Sequence, residues 1–373
     1  MPADVRRERA AGRLRQTRGM KLGINLGYWG TAGTDDLDAM LRLATAADES
    51  GYDVAWLAEA YGSDSATLAA YLSAHTKNLE WGSAVMQIPG RSPAMTAMTA
   101  ATLDSITGGR YRLGLGVSGP QVSEGWHGVR FDHPLGRTRE YVDIIRLAVG
   151  RKKVEYHGTY FELPLPDGPG KALRLLLLPK RDHLPIYLAS IGPKNLALTG
   201  EIADGWLGIF VSPEFVHEQL AQIEKGRAKS DHAEQGMAGF DVAPLVAVSV
   251  ADDLDTAADR LRANSALYVG GMGSRKQNFY NALACRMGFE DAAKTVQDLY
   301  LDHKPREAAA AVPREFIDRT ALIGPRARIA ERLHAYADAG VTTVNVAPAG
   351  DSLDDRVETV RMMAQVLEQE GLA

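Results

Sequence analysis

The feature that most constrains this chain is an alternation. A short apolar run with strand character is followed by a helical stretch, eight times over 373 residues. The first run is 21–29. Leu37, Met40, Leu41, Ala44 and Ala47 then recur at helical spacing, with Thr34 or Asp35 placed to cap the helix and Gly51 to stop it. Further strands are predicted at 53–59, 79–88, 112–117, 185–190, 205–210, 242–250 and 343–346. Helices fall between them at 66–75, 93–106, 138–149, 194–202, 214–228 and 326–339, with a closing helix at 354–370. Strands that alternate with helices pair in parallel through right-handed crossovers. At this length the α/β pattern predicts closure into a (β/α)8 TIM-type barrel. Two stretches break the rhythm. Residues 154–163 read as a small hairpin. Residues 254 to about 333 read as mainly helical, with an insertion at about 270–313 before the eighth strand.

Composition narrows the function classes. A formal net charge of −5 argues against a general nucleic-acid binder. The single cysteine, Cys285, excludes internal disulfides and a thiolate metal cage. No His/Asp/Glu cluster has metal-ligand spacing, so no metal is expected. No apolar run approaches the ~18 residues of a membrane span. Residues 1–19 hold Arg6, Arg7, Arg9, Arg13, Arg15 and Arg18 but no apolar core of a secretory signal. They are expected to be a disordered basic extension to a single barrel domain, 20–373, of a cytoplasmic protein.

Active sites of such barrels lie at the C-terminal strand ends. The fourth strand ends in Gly114, Gly116 and Gly119, a G-x-G-x-x-G pattern. A dinucleotide-binding reading needs a long helix to open at the last glycine and an acidic residue about 20 positions on. Gly125 and Gly128 follow closely, no strand ending in an acid follows about 20 residues on, and the pattern does not lie in the first βα unit. The glycines still let something flat and anionic approach the backbone. At the fifth strand end, Ser190-Ile-Gly192-Pro193-Lys194 leads straight into a helix. That turn suits phosphate, through unpaired helix N–H groups and a lysine; it also suits an ordinary βα turn.

Taken together, Arg112-Leu-Gly-Leu-Gly-Val-Ser-Gly-Pro-Gln121, Glu124-Gly-Trp-His-Gly128, Trp56-Leu-Ala-Glu-Ala-Tyr-Gly-Ser-Asp64 and Ile191-Gly-Pro-Lys194 resemble the luciferase-like flavin/deazaflavin superfamily. The closest resemblance is to its coenzyme F420-dependent oxidoreductase branch, the relatives of methylenetetrahydromethanopterin reductase, from about Met20 to the C-terminus. The resemblance implies a deazaflavin at the barrel mouth. It also implies a bulge after the third strand whose non-proline cis peptide supports the ring, matched here by Ala84–Val85. Gly116, Ser118, Gly119 and Gln121 would then line the pyrimidine side of the ring or the ribityl chain, and Ser190, Gly192, Pro193 and Lys194 the phosphate. The relatives commonly form homodimers.

Reduction of a C=C or C=N bond adds a hydride at one atom and a proton at the other. His127 is the first candidate for the protonation partner, because its ordinary pKa lies near neutrality; packing beside Trp126 is its plain alternative. Glu59 and Tyr61 stand at the second strand end, where the resemblance puts groups near the reacting face, and Glu124 is a weaker candidate. Relatives that oxidise sugar phosphates have an Asp-His pair there, and this chain has Glu59-Ala60-Tyr61 instead. In the insertion, Arg275 and Lys276 are either contacts for the anionic glutamyl tail of F420 or plain surface charge. Phe279 and Tyr280 are expected to pack the insertion and not to touch substrate. The expected function is hydride transfer between F420 and a small organic metabolite. An FMN-dependent monooxygenase and a catalytically inactive cofactor-binding barrel are the alternatives.

Overall fold

The computed structural model describes residues 19–29, 37–178, 180–181 and 183–373. The arginine-rich extension and the Thr34/Asp35 cap therefore lie outside the described residues, Gly19 excepted.

Eight parallel staves build the barrel. They are β1 (Lys21–Gly27), β2 (Val54–Leu57), β3 (Glu80–Ser83) with β4 (Met86–Gln87), β5 (Tyr111–Gly116), β8 (Ile186–Ala189), β9 (Gly205–Leu207), β10 (Asp241–Val242) with β11 (Leu245–Val250), and β13 (Thr343–Ala349). Neighbours pair in that order, and β13 closes on β1, Leu22 opposite Val344. The seventh stave runs through Ala243–Pro244. Ala243 N–H still donates to Trp206 C=O at 2.9 Å and Leu245 N–H to Gly208 C=O at 2.8 Å. The predicted hairpin is present as β6 (Tyr156–His157) against β7 (Glu162–Leu163).

Helices wrap the staves: α1 (Leu37–Glu49), α2 (Ser65–Ser73), α3 (Pro93–Ile106), α4 (Pro120–Gly125), α5 (Pro134–Val149), α6 (Pro193–Ile202) and α7 (Val216–Arg227). Their starts follow the sequence. Asp64 accepts from Thr67 N–H at 2.9 Å, Ser92 precedes Pro93 and accepts from Met95 N–H, and both satisfy amides a helix leaves open.

Inside the barrel, a few large side chains face glycines. Trp56 and Tyr187 are buried edge-to-face, ring centroids 5.2 Å apart. A Cβ at Gly82 would run into Trp56, and one at Gly205 into Tyr187. Glycines in these strands are thus set by side chains on neighbouring strands.

Between β11 and β13 the chain forms α8 (Leu254–Ala266), a wider π-type turn (Leu267–Gly271), α9 (Phe279–Arg286), α10 (Glu290–Leu301), α11 (Pro305–Ala310), α12 (Arg314–Thr320), β12 (Ala321–Gly324) and α13 (Arg326–Asp338). The helical reading of this stretch holds except at β12. That strand pairs beside β11, Val248 opposite Leu322. A four-residue apolar run cannot be told from a buried helix segment by periodicity. The insertion has its own apolar core, with Phe210, Leu283, Val296, Phe316 and Ile317, apart from the main core between sheet and helices. The closing helix is α14 (Leu353–Gln369), begun by a capping box of Ser352 and Asp355.

Candidate functional site

A cavity of about 740 Å³ opens at the C-terminal ends of the staves. Its floor is polar at one point. Trp56 Nε1 donates to Asn345 Oδ1 at 2.8 Å, and Asn345 Nδ2 donates to Ala243 C=O at 2.8 Å. Neither residue was among the sequence candidates. The available signal was a lone amide in the apolar run Thr343-Val-Asn-Val346, since a buried amide must find partners.

The three patterned glycines have different surroundings. A Cβ on Gly114 would overlap the Ser83 carbonyl of the next stave, and one on Gly116 would overlap the Val85 side chain. One on Gly119 would meet only Gln121 Oε1, at 3.6 Å. The first two glycines therefore serve close approach within the protein, and the third leaves open space. The Ala84–Val85 peptide is cis and sits between β3 and β4, with both residues in the cavity wall. Ser118 takes a left-handed backbone, φ 62°, as the chain turns out of β5. A helix does open after Gly119, but α4 has six residues, too short for the long helix of a dinucleotide fold.

At the fifth stave, α6 starts at Gly192 with no side-chain cap, and a Cβ on Gly192 would meet nothing within 4 Å. Lys194 is exposed and has no carboxylate partner among the described residues. Ser190 lines the cavity, with its hydroxyl 2.8 Å from that of Thr199.

The second stave end is held by charge. Glu59 Oε1 accepts from Arg91 Nη1 at 2.6 Å, and Oε2 accepts from Ser65 Oγ at 2.8 Å. Arg91 also reaches Asp64 at 2.7 Å. The Glu59 side chain is only 13% exposed, so this pair is well shielded. Glu59 lines the cavity as an ion-paired carboxylate. Tyr61 lines it too but is 60% exposed.

His127 stands one layer back. Its Nε2 lies 2.8 Å from Gln87 Oε1, and Gln87 Nε2 donates to Glu59 C=O at 3.0 Å. Gln87, absent from the sequence candidates, is the one of the two that lines the cavity. Arg275 also stays outside the wall, paired with Asp298 and, at 3.9 Å, with Asp302. Glu124 is exposed, accepting from Phe131 N–H at 3.1 Å. The structure thus brings together Glu59, Tyr61, Ala84, Val85, Gly116, Ser118, Gly119, Gln121, Ser190, Gly192, Pro193 and Lys194, and leaves His127 and Arg275 behind or beside that wall.

Tyr280 packs on the insertion's own apolar core, as expected. Phe279 and Tyr280 both line the cavity, as does Tyr268 on the π-type turn. Sequence spacing could not show this, because the turn folds the insertion back over the barrel mouth. Burial raises the phenols of Tyr28, Tyr268 and Tyr280 above their ordinary value, and their neighbouring phenols add to the effect.

Residues 17–343 match the family model described as luciferase-like monooxygenase. A Mycobacterium tuberculosis protein, whose name assigns it to the coenzyme F420-dependent oxidoreductases, is 38% identical over 94% of this chain and 99% of its own length. The 5,10-methylenetetrahydromethanopterin reductase of Archaeoglobus fulgidus is 30% identical over 83% of this chain and 88% of its own. The fold matches the coenzyme F420-dependent tetrahydromethanopterin reductase of Methanopyrus kandleri, with a TM-score of 0.76 over 93% of this chain and 98% of that one at 22% identity. With its glycine-lined barrel mouth, the chain belongs to the luciferase-like monooxygenase family, in the branch of the coenzyme F420-dependent oxidoreductases.

Proposed function

We propose that this protein transfers a hydride between coenzyme F420 and a small organic metabolite, reducing a C=C or C=N bond. One observation carries the reading. The cavity has open backbone at Gly119 and Gly192 and, beside the latter, a helix start with no side-chain cap and a lysine with no carboxylate partner among the described residues. These residues fit a flat, phosphate-bearing group. Gly116, Ser118, Gly119 and Gln121 would hold its ring or ribityl chain. The amides of α6, with Lys194, would hold its phosphate.

When bound, the deazaflavin supplies a hydride at a ring carbon and reacts poorly with oxygen. The chain's own residues supply the setting. The Ala84–Val85 backbone and Val85 side chain back the ring site. Gln87 is held between His127 and the Glu59 carbonyl, so its amide presents a fixed edge to the cavity. The Arg91–Glu59 pair fixes the rim at the second stave. Tyr28, Tyr268, Tyr280 and Phe279 give the mouth aromatic walls beside the reacting face.

Titration of the purified protein with F420 and with FMN tests the reading. F420 is expected to bind and FMN to bind more weakly. Micromolar FMN affinity with no F420 binding would transfer the cradle to an FMN-dependent monooxygenase; the family model's description names a monooxygenase.

A further inference from the structure

Three phenols from separate segments meet in the cavity wall. Tyr28 follows β1, Tyr268 sits on the π-type turn and Tyr280 opens α9. Their rings are fixed by packing. Tyr268 and Tyr280 meet edge-to-face at 4.9 Å, and both stand against Phe210, at 5.8 and 6.4 Å. Tyr28 lies against Gly62, where a Cβ would come within 2.7 Å of its ring. Their hydroxyls are not fixed, for none of the three makes a hydrogen bond to a described residue. Other buried tyrosines of this chain do. Tyr52 donates to Val360 C=O at 2.9 Å, Tyr187 to Asp241 at 2.9 Å and Tyr336 to Val211 C=O at 2.8 Å. A half-buried phenol normally finds a partner, and these three, all in the wall of one cavity, have none among the described residues, so an acceptor that enters it would find donors unengaged.

The chemistry of that acceptor can be narrowed. Burial, with a smaller effect of neighbouring phenols that include Tyr61, raises all three phenols further above neutrality, so they donate. The charged side chains lining the cavity, among the described residues, are Glu59 and Lys194. Glu59 is on the stave next to Tyr28 and paired with Arg91, and Lys194 follows β8, four staves from β1 around the ring. Among the described residues no cation therefore lines the cavity beside the phenols, and an anionic substrate would find no counter-charge from them there.

We propose that Tyr28, Tyr268 and Tyr280 form a hydrogen-bond-donating subsite for the carbonyl oxygen of a neutral, conjugated substrate, an enone or enal. As a hydride adds to the β-carbon, the electron pair of the C=C bond shifts and leaves an enolate charge on the oxygen, which hydroxyls on packed rings bind more strongly; a proton from solvent at the α-carbon completes the reduction. The proposal names the substrate class of the function proposed above and rests on that reading for the reaction, though not for recognition.

The test uses the full-length protein with Tyr28→Phe, Tyr268→Phe, Tyr280→Phe and the Tyr268→Phe/Tyr280→Phe double variant. Each keeps its ring and loses only the hydroxyl. The probe is cyclohex-2-enone, its affinity measured by saturation-transfer NMR with and without oxidised F420. Each single variant is expected to bind it about fivefold more weakly and the double variant more than tenfold, as for loss of one and two neutral hydrogen bonds. Cyclohexene, the same ring without the acceptor, should bind native and variant proteins alike, and F420 affinity by fluorescence titration should stay within twofold. Failure of native protein to bind cyclohex-2-enone overturns the proposal, as does unchanged affinity in all variants or an equal loss for cyclohexene. Tighter binding of tetramethylammonium than of the enone also overturns it, in favour of an aromatic cation cage. If F420 fails to bind while the enone still responds to the hydroxyls, the subsite stands and the cofactor reading falls.

Discussion

Gly114 and Gly119 are chemically identical, yet their replacement should fail in opposite ways. Gly114→Ala sets a methyl group against the Ser83 carbonyl, which is backbone and cannot swing aside. Overpacking of this kind costs about 1–3 kcal/mol, so a clear fall in melting temperature is expected by calorimetry. Gly119 has extended backbone, φ −133°, and an open side, so Gly119→Val should melt like the native protein. Its F420 affinity should fall at least about tenfold, equivalent to ~1.4 kcal/mol, in a fluorescence titration. Normal F420 affinity in that variant would remove Gly119 from the cradle. Lys194→Met should weaken F420 binding most at low ionic strength, and the gap to native should narrow as salt is added, because an exposed charge is screened. The glycine spacing was legible in the sequence; the division of labour within it was not. What separates Gly114 from Gly119 is the carbonyl of a stave about thirty residues away, a non-local fact that no local pattern contains. Gln87 escaped for a related reason. It reads as an ordinary polar strand residue until His127 and the Glu59 carbonyl are brought to its two ends.

Among the elements, most staves and outer helices could be read from periodicity, because each has one face in the core. The exceptions are short. β12 lacks the length to declare its period, and α4 follows a glycine pattern whose neighbours discourage helix. At the opposite end of the barrel, one carboxylate clamps several elements. Asp204, between α6 and β9, accepts from Arg146 of α5 at 2.5 Å and from the Ile186 amide of β8 at 2.7 Å, and lies 2.8 Å from His183 Nε2. Burial alone would raise its pKa, but the His183 contact, the Arg146 charge and the amide outweigh it and hold the group at about 2 against an ordinary 3.8. A depressed carboxylate stabilises the fold above its unfolded value, and that contribution is lost as pH falls from about 4 toward about 2. Native protein should therefore lose thermal stability across this window. Asp204→Asn should be less stable at pH 7 and show a shallower decline through the same acid range. Equal acid slopes for the two proteins would mean the clamp does not form.

At the scale of the whole molecule, the sequence revealed a barrel with an insertion, and the structure adds that the two rest on different foundations. The proposed cofactor cradle stands on β5, β8 and the main core. Two of the three tyrosines stand on the insertion, with Phe210, Val296 and Phe316 beneath them in a separate apolar cluster. One link joins the two at Ile191 of the cradle turn, which packs on the insertion's cluster and whose carbonyl accepts from Arg286 of α9 at 3.2 Å. Such a division makes the insertion transplantable. A chimera with the segment 254–320 of a relative should fold, keep native F420 affinity and change which carbonyl compounds it accepts. A chimera that loses F420 affinity would show the two supports to be coupled. Seen this way, the second core would let changes in 254–320 alter the proposed carbonyl subsite without disturbing the proposed cofactor cradle, much as a tool keeps its handle while the bit is changed.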